Sequence, residues 1–277
     1  MADAAQRNSE QKEQYTHGQS KLMTRALGQR TVTSHAAFFI PYLHSGMSLL
    51  DCGCGPGSIT LGFAKLVTPG EVVGVDMAEN QLEQARANAQ EQGVANLRFE
   101  MANVYDLPFP DHSFDAVFSH AVVEHLGDPL QALKEMRRVL KPGGMLGIRD
   151  ADRAGEIFWP LDPVLVNVLE MWNRLLKHNG ADPFIGRRLR SLLNELGLRR
   201  VEASASYECH GTTESVQFTA EISSGYFSGS FKDQVIELGW LDRSEVDRVN
   251  AAWKAWGENP DAFWARSWCE AVGWREL

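Results

Sequence analysis

Apolar positions in the first 150 residues alternate between short continuous runs and helix-spaced faces. Met47-Ser-Leu-Leu-Asp51 and Glu71-Val-Val-Gly-Val-Asp76 are apolar runs that stop at a carboxylate, and they read as strands. Leu97–Met101, Phe114–Ser119 and Met145–Asp150 continue the series. Between them lie helical faces at Ile59, Phe63 and Leu66, and at Leu82, Ala85 and Ala89. A further helix runs from Asp128 to Leu140, with Asp128 as cap and Pro129 in its first turn. Ala36, Phe39, Ile40 and Leu43, spaced i, i+3, i+4, i+7, predict one more helix ahead of the first strand. Strand–helix alternation with short connections predicts a doubly wound α/β fold, its sheet mostly parallel and covered on both faces.

After residue 152 the rhythm changes. Leu165, Leu169, Trp172 and Leu176 line a helix that starts at Asp162-Pro163 and closes at Gly180. Leu189, Leu192, Leu193 and Leu196 line another, stopped by Gly197. Val201–Cys209 alternates as a strand, and 214–257 reads as helical, with a capping-box start at Asp242/Glu245 and Val246, Val249, Trp253 and Trp256 on one face. Phe263–Trp274 reads as a closing strand. The chain divides into an N-terminal lid segment (1–34), a ligand-binding core (35–152) and helical insertions plus closing strands forming a roof (153–277). Residues 1 to about 30 are polar, with little periodicity, and suit a frayed tail or a lid that orders over ligand.

Composition narrows the function. The 277 residues carry a net charge of −9, which argues against a nucleic-acid substrate. The densest basic stretch, Arg187-Arg188-Leu189-Arg190, sits in an amphipathic helical pattern and reads as a solvated face. The first thirty residues hold no apolar signal core, and no apolar run approaches the roughly 18 residues of a membrane span. Four cysteines are too few for a disulfide framework, and Cys52 and Cys54 lack a second Cys/His pair for a metal. The expectation is a cytoplasmic protein acting on a small molecule, without nucleic acid, membrane or metal, its oligomeric state open.

The chemistry concentrates in Leu49-Leu-Asp-Cys-Gly-Cys-Gly-Pro-Gly-Ser58 and, about twenty residues on, Gly74-Val-Asp76. Glycines at 53, 55 and 57 let the backbone turn sharply after a strand and approach a ligand without Cβ clashes. An acid ending the next strand is placed to accept both hydroxyls of a ribose. Dinucleotide enzymes share this logic, but the third glycine of their G-x-G-x-x-G fingerprint would fall at Ser58. Asp51 at the turn would repel a pyrophosphate and suits the cationic amino-acid end of S-adenosylmethionine (SAM).

These two segments, with Asp106-Leu-Pro-Phe-Pro-Asp-His-Ser-Phe-Asp115, Glu124-His-Leu and Arg138-Val-Leu-Lys-Pro-Gly-Gly144, resemble the class I SAM-dependent methyltransferases over residues 45 to 152. Among these, the branch with the ubiquinone/menaquinone C-methyltransferases and many natural-product enzymes is the most similar. The resemblance implies a Rossmann-like, seven-stranded sheet and SAM as cofactor. It implies that Asp51, Gly53, Cys54 and Gly55 lie under the methionine and sugar, and that Asp76 and Met77 hold the ribose and flank the adenine. Asn103 and Val104 stand where the family often has an acid for the adenine amino group; the Asn is a departure whose amide oxygen still accepts. Ser119 and His120 are implied near the methionine end. Each position also has a structural reading, glycines that merely turn and an Asp76 that caps the following helix.

A sulfonium methyl is already activated, so the protein has mainly to align acceptor, methyl and sulfur and exclude water. A base is needed only if the acceptor must lose a proton. His120, just past a strand end, is the candidate; Glu124 and His125 read as loop-fixing, and Asp150 is a further acid at the same edge. Tyr15 and His17 are candidates to close over the sulfonium, and Arg30 to pair with the methionine carboxylate. The acceptor is expected to be an apolar or aromatic O-, N- or C-nucleophile, with the 153–195 and 210–260 insertions lining its pocket. Two alternatives stand beside this: an enzyme coupling methylation to rearrangement or cyclisation, and a SAM-binding regulator without turnover.

Overall fold

A computed structural model describes residues 21–227 and 229–277. Its spine is one sheet. Strands β1 (Leu49–Cys52), β2 (Val72–Asp76), β3 (Leu97–Met101), β4 (Phe114–His120) and β5 (Leu140–Ala151) are parallel in the order 3-2-1-4-5. Strand β8 (Phe263–Trp274) runs antiparallel beside β5, and β7 (Arg199–His210) pairs its far side. The sheet is therefore seven strands wide, as the resemblance implies. A short β6 (Ile157–Trp159) adds an eighth strand, pairing the start of β8 beyond the end of β5. The order reverses between β1 and β4, and ligands of such sheets bind in the crevice outside the strand ends at that reversal.

Helices α3 (Ser58–Val67), α4 (Glu79–Glu91) and α5 (Pro129–Val139) form where the apolar spacing predicts, and Asp128 caps α5 by accepting from the Gln131 amide at 3.0 Å. The predicted face of α3 shifts, however: Ile59, Phe63 and Val67 are buried while Leu66 is 40 % exposed. The expected helix over 36–43 does not form. A four-residue helix α2 (Val32–His35) ends at Ala36, and a separate 3-10 turn covers Ile40–Tyr42. Pro41 lacks the amide that a continuous helix would use there. Ala36 and Phe39 are nonetheless fully buried, so the hydrophobic expectation holds without the helix.

The later segment builds a second core. Helices α6 (Pro163–His178), α8 (Thr213–Tyr226), α9 (Ser230–Glu237) and α10 (Arg243–Glu258) pack around Leu165, Trp172, Phe227, Phe231 and Trp253. The α10 capping box forms as predicted, with the Glu245 amide donating to Asp242 at 2.9 Å and the Asp242 amide to Glu245 at 2.8 Å. Helix α7 (Leu189–Glu195) instead joins the sheet core through Leu189, Leu192 and Leu193. Helix α1 (Lys21–Gly28) bridges the two units. The Leu27 carbonyl accepts from the Ser58 hydroxyl at 3.0 Å, the Thr24 hydroxyl from Gln81 at 3.0 Å, and the Met23 sulfur from Tyr226 at 3.8 Å.

Candidate functional site

The β1–α3 connection is forced into shape by backbone conformation. Gly53, Gly55 and Gly57 have φ of 74°, 51° and 76°, a region that L side chains rarely adopt. A Cβ on Gly53 would also stand 2.2 Å from a Val122 methyl. The turn is pinned to β2, because the amides of Gly53 and Cys54 donate to the Val75 carbonyl at 2.8 and 3.0 Å. Gly53→Ala is therefore expected to cost about 1–3 kcal/mol of stability from strain at this φ, with ligand affinity falling alongside. Urea unfolding and calorimetric titration of one variant check both.

Asp76 closes this turn. One carboxylate oxygen accepts from the Gly55 amide at 2.9 Å and the other from the Ala78 amide at 2.9 Å. Each oxygen keeps further lone-pair capacity for an incoming hydroxyl. Asp51, 3 % exposed, accepts from the Thr60 hydroxyl at 2.7 Å. Burial, reinforced by the charge of Asp76, pushes its carboxyl up to about 7. Burial and the Asp51 carboxylate likewise push the Cys52 and Cys54 thiols well up, which leaves them protonated.

These residues open on a cavity of about 520 Å³. Asp51, Gly53, Cys54, Gly55, Asp76 and Met77 line it, as do Arg30, Val104 and His120. Asn103 and Ser119 do not. The Asn103 side chain turns back on its own loop to accept from the Tyr105 amide at 3.0 Å, and Ser119 is fully buried inside β4. Tyr15 and His17 lie outside the described residues. The roof comes from α1, α8 and β8, through Met23, Leu27, Ile222, Tyr226, Arg266 and Trp268.

His120 stands at the floor with its ring 4.8 Å from that of Trp268 and 5.2 Å from that of His35. Its Nδ1 lies 3.1 Å from the Arg149 carbonyl. A carbonyl only accepts, so Nδ1 carries the proton and the Nε2 lone pair is free. Burial, with the charges of Arg30 and Arg149, holds the ring's pKa well below its usual value, so the imidazole is neutral near pH 7. Register explains the neighbours: His120 pairs Arg149 across β4–β5, Arg149 pairs Glu270 across β5–β8, and Ser204 pairs Glu270 across β7–β8. Arg149 donates to Glu270 at 3.2 Å and stacks on Trp268 at 4.5 Å. Arg149 and Glu270 are not legible as site residues in the sequence. Their signal was a charge inside an otherwise apolar strand, which only pairing across two strands resolves. Asp150, read as a possible base, instead accepts from the Glu124 amide at 3.1 Å and anchors the loop after β4.

A second cavity of about 360 Å³ adjoins the first, sharing Arg153, Glu156, Tyr226 and Arg266. Aromatic rings of Phe158, Trp172, Phe227, Trp253 and Trp264 line it. Among the described residues no cluster of His, Cys, Asp and Glu could hold a metal ion, and no helix is long and apolar enough to cross a membrane.

Comparison with known proteins agrees with this architecture. Residues 43–197 match a family described as a methyltransferase domain. A probable methyltransferase of Aspergillus luteorubrus is 30 % identical over 295 aligned positions, covering 99 % of this chain and 100 % of the relative. An uncharacterised methyltransferase of Schizosaccharomyces pombe is 30 % identical over 253 positions, covering 88 % and 90 %. The solved structure of the YcgJ protein from Bacillus subtilis shares the fold, with a TM-score of 0.60 at 22 % identity over 87 % of this chain and 97 % of that one.

Proposed function

This chain belongs to the SAM-dependent methyltransferase family, and on that footing we propose that it methylates a small, apolar or aromatic O-, N- or C-nucleophile held between the sheet edge and the helical roof. The observation that carries the reading is the pair of adjoining cavities: a first lined by the glycine turn and carboxylates, and a second lined by aromatic rings.

The residues fit the cofactor. Asp76 takes the ribose hydroxyls, because both its oxygens are already oriented by backbone amides. Of the other lining residues, Asp51 would take the amino group and Arg30 the carboxylate, and Met77 with Val104 would flank the adenine. When bound, SAM supplies a methyl already activated on sulfur. The protein's part is placement and dryness. Helix α1, Trp268 and Tyr226 line the cavity and displace water from it. His120, neutral and with Nε2 free, takes the proton from an acceptor that carries one.

Mass spectrometry of products from a metabolite library incubated with methyl-labelled SAM tests this reading. A gain of one labelled methyl names the acceptor. A labelled product of altered skeleton would move the activity to methylation coupled with rearrangement or cyclisation, and SAM binding without any product would leave a regulator. The roof makes a separate prediction. Trp172 stacks on Phe231 at 4.5 Å and meets Tyr226 edge-on at 4.4 Å in the second cavity. Trp172→Leu is expected to lower kcat/KM for the acceptor by about tenfold, roughly the worth of such aromatic contacts, while SAM affinity stays within about twofold. Steady-state kinetics in both substrates measure the split, and equal losses in both would contradict it.

A further inference from the structure

We propose that the acceptor carries a carboxylate on its aromatic or apolar body, and that Arg153 and Arg266 seat this carboxylate where the two cavities meet. The inference rests on the small-molecule methyltransferase reading and adds the substrate's charge.

Several other arginines are held by close acceptors, although Arg137 Nε and Arg149 Nη1 are also buried without a partner. Arg138 donates to Glu135, Asp111 and two carbonyls, Arg187 grips both oxygens of Asp152, and Arg149 holds Glu270. Arg153 and Arg266 differ in lining the cavities. The Nε of each is buried and unpartnered. The carboxylates facing Arg153 are Glu124 at 3.6 Å and Glu156 at 3.7 Å, beyond hydrogen-bond distance. Arg266 has no carboxylate of the described residues within the 4.0 Å of an ion pair and lies on the Trp264 ring at 4.5 Å. Both arginines line both cavities, whereas Arg30 lines only the first.

Their fields converge. Both act on the Tyr226 hydroxyl and on Glu156, so they face one space. Burial raises the Glu156 carboxyl toward its neutral form. Glu208, the other acid near Arg266, already accepts from the Trp268 indole at 3.2 Å and stands 3.7 Å from His35. A buried, unused Nε donor on each guanidinium is costly unless a ligand satisfies it. Their planar forks match a carboxylate, which accepts two parallel hydrogen bonds. A carboxylate at this junction leaves the rest of the ligand among the rings of Phe158, Trp172, Trp253 and Trp264.

The test is calorimetric titration of the protein saturated with S-adenosylhomocysteine, using naphthalene-2-carboxylate and naphthalene-2-carboxamide as probes. The acid is expected to bind at least tenfold tighter than the amide. Arg153→Gln and Arg266→Gln should each remove that advantage, leaving amide binding and S-adenosylhomocysteine affinity within about twofold. Equal binding of acid and amide to the wild type overturns the proposal without any variant. So does binding of neither probe, an acid advantage that survives both substitutions, or a loss of S-adenosylhomocysteine affinity that assigns these arginines to the cofactor's own carboxylate. Failure of the wild type to bind S-adenosylhomocysteine overturns the methyltransferase reading itself, which separates the two failures.

Discussion

His120→Ala is expected to lower turnover by about 10²–10⁴ for an acceptor that must lose a proton, the usual worth of a positioned base, while SAM affinity changes little. The imidazole is already in the required state: Nδ1 is held by the Arg149 carbonyl at 3.1 Å, and Nε2 is unprotonated and unpartnered. Since burial and the cations of Arg30 and Arg149 keep its pKa well below 6.5, it stays neutral as pH falls from 8 to about 6. Turnover at saturating SAM should therefore be flat over that range. Alanine also removes a ring packed against Trp268 and His35, so His120→Asn serves as a control that keeps most of the volume. Both variants should be equally slow. An acceptor supplied already deprotonated should erase the deficit. Unchanged turnover in His120→Ala rejects the base, and loss of SAM affinity in step with activity makes His120 a cofactor support.

Asp51 carries the second large effect, with opposite signs for stability and binding. Its folded pKa of about 7 lies above the ordinary 3.8 because the carboxylate is buried. Between those values the folded state keeps a proton that the unfolded chain has released. Stability from this group is thus highest near pH 4 and declines as pH rises to about 7, by up to about 4 kcal/mol. Asp51→Asn has no charge to bury and should flatten that decline, raising apo-protein stability at pH 8. Binding should move the other way. A cationic amino group needs the ionised carboxylate, so wild-type affinity for S-adenosylhomocysteine should fall about tenfold per pH unit below 7, with a proton released on binding near pH 6.5. Asp51→Asn should bind more weakly at pH 8 and lose the pH dependence. Urea unfolding across pH and calorimetry in buffers of different ionisation enthalpy measure both. Pinning by Thr60 alone, without a role toward ligand, predicts the stability change and no change in binding.

What the chain order determined by itself was the core sheet, its glycine turn and the two carboxylates that serve it. These are local facts: apolar runs of strand length, positive-φ positions that only glycine tolerates, and an acid at each strand end. Asp51, Gly53, Gly55 and Asp76 were legible because each sits within a few residues of the element that places it. Helix α10 was legible for the same reason, its capping box and apolar face being written within sixteen residues. The helix over 36–43 was misread because spacing records burial, and Ala36 and Phe39 achieve burial in a turn that Pro41 permits.

The acceptor side was decided by tertiary structure. Arg153 and Arg266 are 113 positions apart in the sequence and meet because β6 and β8 pair beside the helical roof. Nothing local marks either as unpartnered, since an arginine's partners are set by what folds against it. His120 was legible as a residue past a strand end, but its tautomer comes from the Arg149 carbonyl on the next strand, and its neutrality from burial, with the charges of Arg30 and Arg149. Ser119 and Asn103 show the converse: adjacency to site residues in sequence did not carry them to the cavity, because successive side chains on a strand point to opposite faces and a short polar side chain in a turn bonds its own backbone first.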